Sequence, residues 1–306
     1  TTPLGIGIHE HVSEAAYHAD PCTSPSASSS ALKTLFTRSP EHARWDHPLL
    51  TPDVEPSAAT DAMNVGTILH SMVLGTPAPY RVLNHLDYRT NAAKADRDAA
   101  QLAGVIPILA HKLDPLVDVA DALKFRIGKM PTIARALDAA QKEVTLVWEE
   151  RGTLTRCRFD ALPPPCGFAL DLKFTSRSAE PDGWGRTLVN EYLFQAALYP
   201  RAVEALRGDK PEMVFVVCET DPPYGVSLHA MDPVLADMAD RRLNRALAIW
   251  RECMTSGTWP GYPSTVHYWE PPPWELARTE MREFRDSASP GEQYARLAAA
   301  AGGPPS

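Results

Sequence analysis

Apolar residues recur every three to four positions through much of the first half of the chain, which is the spacing of one helix face. The clearest run lies between Thr60, a helix-capping residue type, and Gly75, a residue type that ends helices. A shorter helix is predicted over 31–37, with the serines before it as its cap. Residues 90–141 also indicate helices.

After residue 142 the pattern changes to segments rich in β-forming residues, of which 154–162 and 168–174 show the alternation of apolar and polar side chains that is typical of β-strands. Short turns separate the first three segments, so we expect them to pair as antiparallel neighbours. A helix, two further strands and a long amphipathic helix complete the pattern. The predicted elements are strands at 143–150, 154–162, 168–174, 213–219 and 226–231, and helices at 184–206 and 233–254.

The order helix, strand, strand, strand, helix, strand predicts a mixed α/β (α+β) core, with a mixed central sheet flanked by helices. We expect a single domain over 1–275. Its core lies at about 60–76 and 143–232, and a helical insertion occupies 87–141. The Ala/Gly/Pro-rich residues within 276–306 are expected to form a partly disordered tail.

Composition predicts a globular protein of the cytoplasm. The hydrophobic fraction of 44% is ordinary, and no apolar run approaches the roughly 20 residues that cross a bilayer. The first residues lack the order of a secretory signal, so no membrane partner is expected. The five cysteines are widely spaced, which argues against a zinc ribbon, a disulfide framework and an iron–sulfur cluster.

The formal net charge of −8 has the wrong sign for a protein that coats nucleic acid by bulk electrostatics. It is compatible with an enzyme that holds DNA through a local basic groove and a metal ion. Charge therefore argues against one class of DNA-binding protein and leaves DNA-processing enzymes open.

Charged residues on an apolar strand mark the candidate active site. Within the strand at 168–174, Leu170 and Leu172 lie on one face, whereas Asp171 and Lys173 lie on the other. The mostly apolar sequence predicts a central strand, where burying a charge costs free energy unless the charge is paired or binds a metal.

Asp160 lies on the preceding strand and shares its face with two arginines. If the two strands form a hairpin, Asp160 can lie beside Asp171, and adjacent carboxylates repel each other unless a divalent cation binds them. Oxygen ligands suit Mg²⁺ or Mn²⁺. Lys173 could then position or deprotonate a water and stabilise charge on a phosphate. The alternative is a plain ion pair between Asp171 and Lys173 at a sheet edge.

Two predicted helices carry further candidates. Gln195 and Tyr199 are four residues apart on one face and could bind a phosphate or the attacking water. Alternatively, Tyr199 is a core residue and Gln195 a surface residue. Pro200 follows directly and is expected to kink or break the helix. His70 is equally compatible with a metal ligand and with a satisfied core histidine.

Together these residues resemble the motifs of the PD-(D/E)XK nuclease superfamily, in particular its branch with exodeoxyribonuclease VIII (RecE), lambda exonuclease and RecB-type nuclease domains. The segments 28–45 and 87–109 are similar to phage-type RecE-like domains, so the likeness covers most of residues 15–275. The resemblance implies a restriction-endonuclease-like fold with an αβββαβ core. The motifs are, in chain order, G-x-x-x-H (Gly66, His70), the first acid (Asp160), D-L-K (Asp171, Leu172, Lys173) and Q-x-x-x-Y (Gln195, Tyr199).

The resemblance implies roles for the matching residues around the metal. Asp160 and Asp171 would bind a catalytic Mg²⁺ or Mn²⁺, joined by the backbone carbonyl of Leu172 and by His70. Lys173 would assist the nucleophilic water.

Contacts to DNA are implied for other positions. Gln195 and Tyr199 would bind the phosphate near the scissile bond, and Glu143 is a weaker candidate metal ligand. The two arginines beside the first acid could meet phosphates or, equally, pair with carboxylates. The candidate contacts to the DNA backbone or end are Ser30, Lys33, Arg38, Arg156 and Arg158.

The implied function is an exonuclease, encoded by a bacterium or its phage, that hydrolyses linear double-stranded DNA and exposes single strands for recombination. A single-strand annealing recombinase is the implied partner, and a ring-like homo-oligomer could enclose the duplex. Two alternatives stay open at this point. One is a catalytically weak DNA-end-binding or scaffold protein that retains the fold, and the other is an unrelated α/β enzyme.

Overall fold

A computed structural model of the chain describes residues 2–54, 59–287, 291, 292 and 295. Contacts divide the chain into two compact units, residues 1–261 and 262–306. Residues 55–58 and much of the tail that was expected to be partly disordered lie outside the described residues.

The described residues form helices and strands in a mixed order. The helices are α1 (Glu14–His18), α2 (Ser29–Thr37), α3 (Pro40–Trp45), α4 (Asp61–Leu74), α5 (Asn91–Leu102), α6 (Ala110–Gly128), α7 (Pro131–Ala139), α8 (Pro181–Thr187), α9 (Leu193–Arg207), α10 (Pro233–Ser256) and α11 (Pro273–Asp286). The strands are β1 (Gly7–His9), β2 (Tyr80–Leu83), β3 (Ile106–Leu109), β4 (Gln141–Glu150), β5 (Thr153–Leu162), β6 (Phe168–Thr175), β7 (Glu212–Glu219) and β8 (Val226–His229). A π-helical turn, Leu188–Tyr192, joins α8 to α9.

The first unit is built on a six-stranded sheet with the order β1-β4-β5-β6-β7-β8. Strands β4, β5 and β6 follow each other as antiparallel neighbours, as the short turns between them predict. Strand β7 pairs parallel to β6, because α8, the π turn and α9 cross over between the two strands. The predicted order helix, strand, strand, strand, helix, strand is therefore found in a mixed sheet.

Hydrophobic cores cover both faces of this sheet. Phe159 of β5 and Phe215 of β7 lie in the core formed with α9 and α10. Leu170 and Leu172 of β6 lie in the opposite core, formed with α4, α6 and α7. Both leucines are 0% exposed. The other face of β6, which carries the charges, includes Ala169 and belongs to the core that contains α9.

The local sequence fixes both ends of α4. The Thr60 hydroxyl accepts a hydrogen bond from the Met63 N–H (3.2 Å), and Gly75 ends the helix with a left-handed φ of 70°. His70 consequently lies in the last turns of α4, the helix that packs on β5 and β6.

The insertion before β4 is less helical than its sequence predicts. Strands β2 and β3 form a separate parallel pair, with Tyr80 opposite Ile106. A strand of four residues is too short to show a clear alternation, and parallel pairing depends on a partner more than twenty positions away. Tertiary contacts, and not the local sequence pattern, therefore determine that these two segments form strands.

The helix that carries Gln195 and Tyr199 is not broken at Pro200. Helix α9 continues through Pro200 to Arg207, so of the kink or break expected at this position, the break is wrong. The irregularity lies earlier, in the π turn Leu188–Tyr192. A π turn accommodates one extra residue and changes the direction of the side chains around it.

The second unit contains α11, whose residues are all partly or fully exposed. None of the helices formed by the described residues is long and apolar enough to cross a bilayer.

A buried ion network fixes the N-terminal segment to β5. Asp20 is fully buried, and its Oδ2 lies 3.1 Å from Nη1 of Arg156 and 3.1 Å from Nε2 of His47. The amide and hydroxyl of Ser26 also donate to this carboxylate, each at 2.8 Å. Burial raises the pKa of Asp20, but the His47 hydrogen bond, the Arg156 charge and the Ser26 donors outweigh it and lower the pKa to about 2.

The substitution Asp20→Asn should destabilise the protein by about 2–4 kcal/mol at pH 7, because it leaves the buried Arg156 charge without a counter-ion. Asparagine keeps the shape of the side chain and tolerates the left-handed φ of 55° at this position. Urea denaturation measures the change, with the exposed Asp121→Asn as the control.

The same network predicts a pH dependence. A folded-state pKa of about 2, against an ordinary value of 3.8, stabilises the native state above pH 4. This stabilisation should be lost as the pH falls from about 4 to about 2, and Asp20→Asn should lack this part of the decline. Equal stability of Asp20→Asn and wild type at pH 7 would contradict the assignment.

Candidate active site

The site forms where β5 and β6 separate. Within these described strands, Ala161 opposite Leu170 is the one registered pair. The next residues along each strand are Asp160 and Asp171, so the antiparallel register brings the two acids side by side. Beyond the registered pair, the Leu172 N–H donates to Oδ2 of Asp160 at 2.8 Å. A carboxylate oxygen thus accepts the hydrogen bond that a backbone carbonyl of the neighbouring strand would otherwise accept.

Asp171 is held by two side chains. Its Oδ2 lies 2.5 Å from Nζ of Lys173, and its Oδ1 accepts a hydrogen bond from Nε2 of Gln195. The Asp171 side chain is 3% exposed and that of Lys173 is 18% exposed. Strand β6 supplies the acid and the amine from one face, and α9 supplies the amide from above that face.

His70 reaches the same pair of acids from α4. Its Nδ1 lies 3.4 Å from Oδ1 of Asp160, and its ring contacts the edge of Phe174. Burial lowers the pKa of His70, but the neighbouring Asp160 carboxylate outweighs burial and raises it overall. Nothing lies within 4 Å of the position that a Cβ of Gly66 would take, so no other described segment approaches closely at this residue.

The electrostatics of the two acids differ. Burial raises the pKa of Asp171, and the nearby charge of Asp160 raises it further, although Lys173 opposes both. Burial acts in the same direction on Asp160, but His70, Lys173 and the Leu172 N–H lower its pKa overall. Burial lowers the pKa of Lys173, whereas Asp171 and Asp160 raise it above its ordinary value. The site therefore holds a charged Asp160 and a charged ammonium around a carboxyl group that ionises with difficulty.

The chemistry of these donors suits a divalent cation. Two carboxylates and an imidazole lie together, and the pKa of Asp171 is raised partly by the negative charge of Asp160, which a cation would compensate. Among the residues that the structure describes, no three His, Cys, Asp or Glu side chains converge on a ready-made metal position. Asp160 is instead paired with His70, and Asp171 is paired with Lys173 and Gln195.

Gln195 and Tyr199 have different surroundings. Gln195 contacts Asp171, whereas Tyr199 is 6% exposed and its ring lies 4.9 Å from that of Phe159. Tyr199 also neighbours the buried Tyr17 of α1. Burial raises the pKa of Tyr199 far above its ordinary value. Tyr199 of α9 thus lies in the core, next to α1.

Both arginines on β5 pair with carboxylates. Arg156 is bound to Asp20, and its side chain is 5% exposed. Arg158 lies 3.2 Å from Glu143 and also donates to the Val12 carbonyl at 2.5 Å. Of the two alternatives left open for these arginines, the structure shows the carboxylate pairing. Glu143, the weaker candidate metal ligand, is engaged in the same pair.

The other candidate DNA contacts lie on α2 and just after it. The Ser30 hydroxyl bonds to the preceding cap serine at 2.9 Å. Lys33 lies 2.7 Å from Glu191 of the π turn, and Arg38 lies 3.9 Å from Asp46. Ser30 and Arg38 are exposed, and Lys33 is partly buried.

The sequence patterns missed one residue of the site, Tyr192. The Lys173 ammonium lies 4.7 Å from the centre of the Tyr192 ring. Tyr192 precedes Gln195 by three residues, and this helical spacing was the signal that could have identified it.

Comparisons with known proteins agree with this architecture. A family model described as a PDDEXK-like domain of unknown function (DUF3799) matches residues 28–271. A crystal structure from Eubacterium rectale, named "Putative exonuclease", superposes with a TM-score of 0.53 at 15% sequence identity, covering 88% of this chain and 98% of that chain. At this identity the likeness concerns the fold alone. No curated protein shows a significant match.

The Asp160→Asn substitution should lower the protonation midpoint of Asp171, because it removes the negative charge that raises the Asp171 pKa. The midpoint in wild type should lie above the roughly 3.9 of a free aspartate. Carbon-13 NMR of protein labelled at the aspartate carboxyl carbons, without divalent metal, measures both values. An unchanged Asp171 midpoint in Asp160→Asn would show that the two acids do not interact.

Proposed function

We propose that the chain, which belongs to the PDDEXK-like family (DUF3799) and so to the PD-(D/E)XK nuclease superfamily, is a divalent-metal-dependent deoxyribonuclease. The match to this family confirms the superfamily and the fold class that were predicted from the sequence. The observation that supports activity is the contact of Lys173 with Asp171 directly beside Asp160, in a site that also contains Gln195.

Asp160 and Asp171 would hold the cation, with the Leu172 carbonyl and His70 as further ligands. Their oxygen-rich donor set fits Mg²⁺ or Mn²⁺. When bound, such a cation acidifies a water and neutralises charge on a phosphate oxygen. Since Gln195 donates a hydrogen bond to Asp171, it would fix the orientation of the Asp171 carboxylate and limit the rotation of that group.

Lys173 would stabilise the negative charge that builds on the phosphate during hydrolysis. Its neighbouring carboxylates raise its pKa, so the amine is a cation at neutral pH. A protonated lysine donates hydrogen bonds and cannot accept a proton. This favours positioning the attacking water over deprotonating it.

The finer function we infer is an exonuclease on linear double-stranded DNA that exposes single strands for recombination. Two likenesses support it: the motif resemblance to RecE-like exonucleases and the fold of the Eubacterium rectale protein named as an exonuclease. Because the net charge is −8, DNA contacts would have to be concentrated, as in a ring-like homo-oligomer. A single-strand annealing recombinase would be the partner that takes up the product.

Purified protein with Mg²⁺ should digest linear duplex DNA and spare covalently closed circles. The substitution Lys173→Ala should reduce the rate by about 10²–10³-fold, because it removes a preorganised cation from the developing charge. Release of acid-soluble nucleotides from labelled substrates measures both.

The control is Lys210→Ala, a half-exposed lysine on the surface, which should digest as wild type does. Equal digestion by Lys173→Ala would refute the proposed mechanism. Digestion of circles as fast as linear DNA would replace the exonuclease with an endonuclease.

Calorimetric titration with Mn²⁺ should show binding to wild type and none to Asp160→Asn or Asp171→Asn, since each change removes a charged ligand. At a Mg²⁺ concentration about 100 times the Kd, wild type should gain about 2.7 kcal/mol of stability. Asp121→Asn is the matched surface control. Metal binding that survives both active-site changes would place the cation elsewhere.

A further inference from the structure

Two aromatic rings lie against the Lys173 ammonium in addition to the Asp171 carboxylate. Nζ is 4.7 Å from the centre of the Tyr192 ring and 5.8 Å from that of Phe215. Both distances are within the roughly 6 Å over which the face of a ring attracts a cation. The ammonium is therefore bound from two sides, by a carboxylate and by ring faces.

The position of Tyr192 is a consequence of the π turn. Tyr192 is the last residue of Leu188–Tyr192, and its φ of −115° and ψ of 1° depart from the regular helix that follows. The preceding residue, Glu191, forms an ion pair with Lys33 of α2 at 2.7 Å. The irregular turn is thus anchored from outside the site.

The Tyr192 ring has little room to move. It stacks on Trp184, with ring centres 5.7 Å apart and planes 14° apart, and it also lies 5.7 Å from Phe215. Trp184 is 3% exposed and packs in turn on His229 at 4.5 Å. Together these rings form a fixed surface under the amine.

Such a surface solves a problem of charge in the proposed nuclease. Asp171 is the counter-ion of Lys173 and also the proposed ligand of a divalent cation. A carboxylate that shares its charge with a divalent cation attracts the ammonium less, and the cation itself repels the ammonium. The face of a tyrosine ring attracts the ammonium without competing for metal.

We propose that Tyr192 is a positioning residue that retains the Lys173 ammonium beside Asp171 when Asp171 carries other charge. Its catalytic consequence rests on the proposed nuclease function, whereas the contact itself does not. The two parts can therefore be tested separately.

NMR of protein labelled with ¹³C at the lysine ε position tests the contact without any enzymatic activity. The Lys173 signal, assigned by its loss in Lys173→Ala, should be shifted upfield by the ring current. Tyr192→Phe should keep this shift and Tyr192→Leu should remove most of it. In Asp171→Asn, and in wild type with Mg²⁺, the shift should persist.

Steady-state kinetics tests the consequence. Tyr192→Leu should lower kcat by about 3- to 30-fold with the KM for DNA unchanged, and Tyr192→Phe should restore activity to within about 2-fold of wild type. The control is Phe125→Leu, which removes a comparable pair in which Lys129 Nζ lies 4.3 Å from an exposed ring. This control should leave kcat unchanged. Thermal unfolding of each variant identifies any loss of folding.

Each outcome has one meaning. A Lys173 signal that does not move in Tyr192→Leu, or that moves to the position of exposed lysines in Asp171→Asn, overturns the proposal. A folded Tyr192→Leu with wild-type kcat, or a Tyr192→Phe as impaired as Tyr192→Leu, also overturns it. If wild type itself does not cleave DNA but shows the predicted shifts, the nuclease function fails and the contact stands.

Discussion

The hydrogen bond from the Leu172 N–H to the Asp160 carboxylate is the interaction on which the site depends. Two strands that separate within a sheet leave backbone groups without ladder partners, and a buried N–H without a partner is costly. Asp160 supplies the missing acceptor at 2.8 Å and is thereby held beside Asp171. His70 and Lys173, together with this contact, lower the pKa of Asp160, and the Asp160 charge adds to burial in raising the pKa of Asp171. The bond thus connects the opening of the sheet with the pairing of the two acids.

Charge balance explains the arrangement around these acids. Lys173, Gln195 and His70 come from a strand and from two helices on opposite faces of the sheet, and each binds one of the two carboxylates. Farther along β5, Arg156 has its own buried counter-ion, Asp20, contributed by the N-terminal segment. Each of these basic groups is therefore paired with a carboxylate. At Asp171, burial and the negative charge of Asp160 together raise the pKa of the carboxyl group.

The parts of the fold that the sequence predicted are those whose signals are local. Helix α4 has a capping threonine at one end and a left-handed glycine at the other, and both bounds agree with prediction. Strands β4, β5 and β6 are eight to ten residues long and are joined by short turns; β4 is rich in β-forming residues, and β5 and β6 show alternation. In contrast, β2 and β3 are four residues each and pair across a helix, so nothing local identified them. At Pro200 the local rule predicted a kink or a break, but α9, most of whose residues are buried, continues through this position.

By itself, the sequence determined the fold class and predicted candidates for the site, because alternation places Asp171 and Lys173 on one strand face and helical spacing places Gln195 and Tyr199 on one helix face. Tertiary structure decided which candidates meet. It joined Gln195 to Asp171 but buried Tyr199 against Phe159, and it paired Arg156 and Arg158 with carboxylates of distant segments. It also placed Tyr192 under Lys173 through a π turn that no residue pattern announced. The physical reason is that periodicity fixes the face on which a side chain lies, whereas its partner depends on how strands separate and helices pack.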